Sequence, residues 1–189
     1  MAEPQTPPHE LAPAWRPGDP RADTASMLRV DQAGEYGATR IYAGQLAVLG
    51  DRHKSSALIA GMAAQEREHL AHFDELLAAR GVRPTLLQPF WAVAGHALGA
   101  ATALIGPSAA MACTAAIEDE IDAHYSEQLA ELGDSDPPLS ASIARFQADE
   151  RAHRDAAIEA GAESTFFYPV LYAAIRMGCR AAIELSKRI

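Results

Sequence analysis

One stretch of this chain occurs twice. Residues 35–51 read EYGATRIYAGQLAVLGD and residues 118–134 read EDEIDAHYSEQLAELGD, with eight of seventeen positions identical. The duplication continues downstream, where AQEREH at 64–69 matches ADERAH at 148–153. Glu35 precedes Glu66 by 31 residues, and Glu118 precedes Glu150 by 32. A repeated unit of this size predicts a fold with two equivalent halves. Punctuation shows what each half is. Gly50, Gly81, Gly133 and Gly161 close segments long enough for helices, at about 25–49, 53–80, 108–132 and 140–160. Short loops join the first to the second and the third to the fourth, so each copy is a helical hairpin. A longer connection, about 82–107, separates the hairpins, and a fifth helix, about 169–187, follows with Pro169 near its first turn. Two antiparallel hairpins with one long crossover is the wiring of a ferritin-like four-helix bundle. The expected fold is therefore all-α: such a bundle, with an apolar crossover helix and a C-terminal interfacial helix.

Composition narrows the function. Aromatics are only 6% and half the residues are apolar, with much alanine, which suits helices. A net charge of -9 leaves no basic stripe for phosphates, which argues against nucleic acid. Cys113 and Cys179 form no CxxC, so two free thiols in a reducing compartment are expected. Residues 1–23 hold six of the twelve prolines, with neither an apolar core nor an Arg-rich amphipathic character. They read as a disordered arm rather than a signal or transit peptide, preceding one domain over 24–189.

Within EREHLAHF, residues 66–73, Glu66 can pair with His69 and Glu68 with His72 on one helical face. The repeat chooses between them. Glu66 and His69 recur as Glu150 and His153, whereas Glu68 and His72 have no copy and read as surface residues. One helix giving a glutamate and the next giving Glu-x-x-His is half of a dinuclear metal site. Doubling it assembles Glu35, Glu66, His69, Glu118, Glu150 and His153 as candidate ligands. Two divalent cations offset four carboxylate charges that would repel in a low-dielectric core. Carboxylate and imidazole ligation without thiolate suits iron or manganese rather than structural zinc. By analogy with this architecture, Glu66 and Glu150 bridge the metals, His69 and His153 cap one each, and Glu35 and Glu118 are terminal. Glu120 competes with Glu118, but in the repeat it falls opposite Gly37. Tyr42 and Tyr125 follow the terminal glutamates by seven residues and are either donors that orient carboxylates or ordinary core tyrosines. His124 stands where the first copy has Ile41 and is either a substrate- or proton-handling group or a surface histidine.

Between Arg83 and Glu118 there is no Asp, Glu, Lys or Arg. Gly106-Pro107 breaks this stretch, and its second part must run in the bundle to deliver Glu118. The first part carries Phe90, Trp91, Val93, Leu98, Leu104 and Ile105. The C-terminal segment adds an apolar surface with Arg176, Arg180, Lys187 and Arg188. An apolar body with basic residues fits a helix lying in a membrane interface. A buried or oligomer contact and a true span are the alternatives.

RVDQAGEYGATRIYAGQ, QEREHLAHF, ACTAAIEDEIDAHY and DERAHRDAA together resemble the demethoxyubiquinone hydroxylases, membrane-bound di-iron monooxygenases of ubiquinone biosynthesis, from about Met27 to the C-terminus. The resemblance implies hydroxylation of the ring of a polyprenyl demethoxyubiquinol with molecular oxygen at two iron ions. Its metal ligands fall on the six residues reached from the repeat, and its His-Tyr pair falls on His124 and Tyr125. It further implies a peripheral membrane location. For a bacterial member, as the missing transit peptide suggests, this is the cytoplasmic face of the cell membrane; for a processed eukaryotic chain it is the matrix side of the mitochondrial inner membrane. NADH is implied as reductant, with the quinol itself as a second route for electrons. A homo-oligomer and a lipid-presenting partner protein are also implied. The rival classes are a ferritin-like ferroxidase or peroxidase and a non-enzymatic membrane-bound lipid carrier.

Overall fold

The computed structural model describes residues 22–51 and 53–188, and every regular element among them is helical. The elements are α1 (Thr24–Leu49), α2 (Ser56–Arg80), α3 (Gln88–Ile105), α4 (Pro107–Leu132), α5 (Pro137–Glu159) and α6 (Tyr168–Arg188), with a short 3-10 turn at Ala162–Ser164. Of the arm expected over 1–23, residues 1–21 lie outside the described residues. Asp23 caps α1, its carboxylate accepting the Ser26 N–H at 3.0 Å.

The duplication holds at the level of single hydrogen bonds. Gly50 and Gly133 are repeat partners, both at positive φ (66° and 47°), where glycine carries no Cβ penalty. Their N–H groups bond the carbonyls of Leu46 and Leu129, which are also repeat partners. Two boundaries differ from expectation. α5 starts at Pro137 rather than near Ser140, because Asp136 is its cap and Pro137 sits where the N–H would lack a partner anyway. α2 starts at Ser56 rather than 53, after a turn in which Ser56 Oγ donates to the Gly50 carbonyl.

α1 packs on α2 and α4 on α5, and the two hairpins close on each other through α1 and α4. Tyr42, Met62, Met111 and the alanines of α4 fill one end of the core. Leu28, Phe73, Leu139, Ile143 and Phe146 fill the other. The charge-free stretch divides at Gly106, as its break implied. Ala109 to Ala116 on α4 are buried on every side, while α3 lies outside the bundle against α1. That contact is close: a Cβ on Gly99 would come 2.0 Å from the Ile41 carbonyl oxygen, and one on Gly44 would come 2.2 Å from that of His96.

The outer face of α3 exposes Phe90, Val93, Leu104 and Ile105, and α6 with its approach exposes Phe166, Phe167, Val170 and Met177. Among the described residues, no helix is long and apolar enough to cross a membrane. α6 lies on α4 and α1. Arg176 and Arg180 donate through Nε to Glu120 at 2.8 and 2.7 Å, and Tyr172 donates to Asp119. Thus two of the basic residues expected to face lipid bind inward, because a largely buried Glu120 needs a counter-charge.

Candidate metal centre

Four helices each bring one glutamate to the middle of the bundle. Glu35 comes from α1, Glu66 from α2, Glu118 from α4 and Glu150 from α5; α2 and α5 add His69 and His153 one turn on. All six side chains are buried. They form two interlocked groups, Glu35/Glu66/His69/Glu150 and Glu66/Glu118/Glu150/His153, in each of which the ligand-capable atoms lie within 4.8 Å of one another. Both groups contain Glu66 and Glu150. His69 Nδ1 is 3.0 Å from Glu150 and 3.6 Å from Glu35, and His153 Nδ1 is 3.1 Å from Glu66 and 3.2 Å from Glu150. Glu68 is exposed and His72 bonds Ser142, so neither joins the cluster. Glu120 does not join it either.

The electrostatics are those of an anion cage. Burial, then repulsion from Glu150, raises the pKa of Glu66 and of Glu118 well above the ordinary range. Burial pushes Glu150 the same way, but hydrogen bonds from His153 and His69 outweigh it and hold that carboxyl low. Burial alone would lower His69, yet Glu150 and Glu35 beside Nδ1 hold it up at about 10. Both oxygens of Glu66, and one each of Glu35, Glu118 and Glu150, lack a well-aligned hydrogen bond, even where an imidazole nitrogen is close. Buried carboxylate oxygens without partners are costly unless a cation sits among them. The donor set, four carboxylates and two imidazoles, fits a pair of such cations.

Each half orients the other half's ligands. Tyr42 on α1 donates to Glu118 at 2.6 Å, and Tyr125 on α4 donates to Glu35 at 2.5 Å. His69 Nε2 lies 3.2 Å from Asp149 and His153 Nε2 lies 2.9 Å from Gln65. Asp149 and Gln65 are repeat partners, each one residue before a cluster glutamate. Acceptors at Nε2 hold a proton there and leave Nδ1 as the nitrogen turned toward the carboxylates, free to bind a cation once its own proton is displaced. Sequence reasoning missed both, although a polar residue at this position in both copies was the available signal.

His124 is not a plain surface residue. Its Nε2 lies 2.9 Å from Gln128 and 3.6 Å from the buried Asp31, which also accepts from Gln128 at 2.7 Å. In the other half the matching pair is Gln45 with Thr114, so Asp31 and His124 are additions to a shared scaffold. His124 also lines a pocket of about 200 Å³ together with Ser26, Glu127 and Lys187. A second cavity, about 470 Å³ and almost wholly apolar, lies among α1, α3, α4 and α6, with walls that include Gly34, Ile117, Trp91 and Ile175.

A family model described as ubiquinone biosynthesis protein COQ7 matches residues 22–186. The chain belongs to that family. Among its COQ7-family relatives is the 3-demethoxyubiquinol 3-hydroxylase of Rhodospirillum rubrum, 54% identical over 92% of this chain and 82% of the relative. The human NADPH-dependent 3-demethoxyubiquinone 3-hydroxylase, mitochondrial, is 47% identical over 89% of this chain and 79% of its own length. The mitochondrial 5-demethoxyubiquinone hydroxylase of Saccharomyces cerevisiae is 40% identical over 86% and 77%. For a COQ7-family chain, the matched span takes in the whole cluster, the apolar cavity and all of the smaller pocket's lining but Lys187.

Proposed function

We propose that this chain hydroxylates the ring of a polyprenyl demethoxyubiquinol at a di-iron centre, with O2 as co-substrate. The observation that carries the reading is the pair of interlocked groups sharing Glu66 and Glu150. Glu66 and Glu150, common to both groups, would help hold both irons, with Glu35 and His69 completing one site and Glu118 and His153 the other. Iron held there supplies O2 activation and electrons in pairs. The protein's own residues do the rest. Tyr42 and Tyr125 hold the terminal carboxylates, and Asp149 and Gln65 hold the imidazoles. His124, backed by Asp31 and facing the smaller pocket, is placed to pass protons between solvent and the bundle interior.

The apolar cavity takes the quinol ring. Its volume lies within the roughly 300–1,000 Å³ of ordinary small-molecule sites and its walls suit a lipid-soluble guest. A ferroxidase has no use for such a cavity. The exposed apolar faces of α3 and α6 border it and would rest on a membrane surface, so that the polyprenyl tail stays in lipid. The protein would then be a peripheral membrane enzyme, on the cytoplasmic face of a bacterial membrane or the matrix side of the mitochondrial inner membrane. Electrons would come from a reduced nicotinamide, NADH or NADPH, or through the quinol. The chain has no GxGxxG motif for a tight nicotinamide site. A second copy or a lipid-presenting protein would dock on the same apolar surface.

The test is anaerobic reconstitution with ferrous iron, followed by ¹⁸O-labelled O2 and demethoxyquinol. One labelled oxygen on the ring, read by mass spectrometry, supports the reading. Iron oxidation without a ring product overturns it in favour of a ferroxidase.

A further inference from the structure

Three glycines on the wall of the apolar cavity have no packing reason to be glycine. Gly34 and Gly37 on α1 and Gly178 on α6 all line it, and a Cβ added at any of them meets nothing within 4 Å. None has a positive φ. Each sits inside a helix, where glycine is the least favourable residue other than proline. Gly44 on the same helix differs, because there the α3 backbone presses close and a side chain would collide.

The internal repeat sharpens the contrast. Gly34 corresponds to Ile117 on α4, and Gly37 corresponds to Glu120. On α4 both positions are put to use: Ile117 packs in a cluster with Ile175 of α6, and Glu120 binds Arg176 and Arg180. On α1 the two equivalent positions carry no side chain, and they face the cavity between Ala33 and Ala38, with the larger Val30 and Ile41 only a turn away on either side. Gly34 and Ile117 also each directly precede a cluster glutamate, Glu35 and Glu118. The uncovered patch on α1 therefore lies on the turn that carries the candidate ligand Glu35.

We propose that Gly34 and Gly37 set the specificity of this cavity by leaving a patch of uncovered backbone on the α1 wall, against which the flat quinol ring lies. The inference rests on the reading of the cavity as the quinol site. A ring is broad and thin, and one helical turn that presents only Ala33, Gly34, Gly37 and Ala38 to the cavity offers a low surface of matching shape. A methyl group at either position would occupy the room the ring needs while costing the fold nothing.

The test compares Gly34→Ala and Gly37→Ala with Gly61→Ala, a control in α2 whose added Cβ also meets nothing within 4 Å but which lies away from the cavity. The probe is a demethoxyubiquinone analogue with a two-isoprene tail. Its binding is read by quenching of Trp91, which lines the cavity, in a full-length Trp15→Phe background. All three variants should melt at or above the parent's temperature. Gly34→Ala and Gly37→Ala should bind the probe at least ~tenfold more weakly, as one misplaced methyl group does in a fitted apolar pocket, and raise KM in step. Gly61→Ala should bind like the parent. Unchanged binding in both cavity variants overturns the proposal, and so does a lowered melting temperature, which would make the glycines packing devices. No quenching in the parent itself would instead remove the cavity as the quinol site.

Discussion

The anion cage should make the metal-free protein less stable as pH rises through neutrality, the reverse of common acid denaturation. Glu66 and Glu118 have folded-state pKa values raised above the ordinary 4.5, first by burial and then by Glu150. A carboxyl so raised contributes stability that is complete below its unfolded pKa and is lost as pH climbs toward the folded one. His69, held at about 10 against an ordinary 6.5, acts in the same direction above neutrality. Glu150 is depressed, so its contribution is lost only on acidification and stays constant in this window. Each proton that the folded state retains and the unfolded state has released gives a slope of ~1.4 kcal/mol per pH unit. A proton held by Glu66 or Glu118 therefore costs ~1.4 kcal/mol for each pH unit climbed from the ordinary carboxylate range toward the raised folded value, and a few such units are a large part of a domain's stability. Urea titrations of chelator-treated protein across that range measure the slope. Ferrous or manganous ion should flatten it, because cations replace the protons. Glu66→Gln should reduce it by one proton's worth without metal. Stability that is flat or rises with pH in the chelated parent would refute the reasoning.

Glu150→Ala should abolish iron binding, whereas Glu68→Ala should leave it intact; equal iron content in both variants breaks the ligand assignment. Tyr125→Phe leaves Glu35 Oε1 without its donor and should weaken metal binding roughly 10- to 100-fold, with Tyr42→Phe doing the same through Glu118. Calorimetric titration showing parental affinity would reduce both tyrosines to space-filling. His124→Ala should slow turnover with metal content unchanged, and a normal rate would return that histidine to the surface class. Burial would raise Asp119 and Glu120, but bonds from Tyr172 and Arg154 lower the first and bonds from Arg180 and Arg176 lower the second. Their contribution is present above the ordinary carboxylate range and lost as pH falls below it, so α6 should loosen in acid before the hairpins do. Hydrogen exchange that shows α6 as protected as α4 on acidification would contradict this.

The helices, the hairpin pairing and the grouping of Glu35, Glu66, His69, Glu118, Glu150 and His153 were all legible in the repeat, because copying marks which of several similar residues matter. Glu68 beside Glu66 and Glu120 beside Glu118 were separated on that ground alone, and the folded chain keeps both out of the cluster. What spacing could not show was which helix faces which. Tyr42 lies two turns from Glu35 on the same helix, and spacing does not say which carboxylate it orients; it reaches across to Glu118, because α1 and α4 are neighbours in the bundle. Arg176 and Arg180 read as lipid-facing because the α6 sequence says nothing about Glu120 on another helix. The apolar cavity was equally hidden. An empty space is defined by what four helices leave out, and Gly34 looks in sequence like any flexible residue.

The crossed tyrosine bonds carry one more consequence. Neither hairpin can finish its own half of the centre: each lends the hydroxyl that steadies the other's glutamate, and each supplies the acceptor that aims the other's imidazole. A chain with one hairpin undocked would offer iron two carboxylates and one loosely pointed histidine, a poor and exchangeable binder. On the proposed di-iron reading, metal capture would double as proofreading of assembly, and oxygen would meet iron only in molecules whose two halves have already closed.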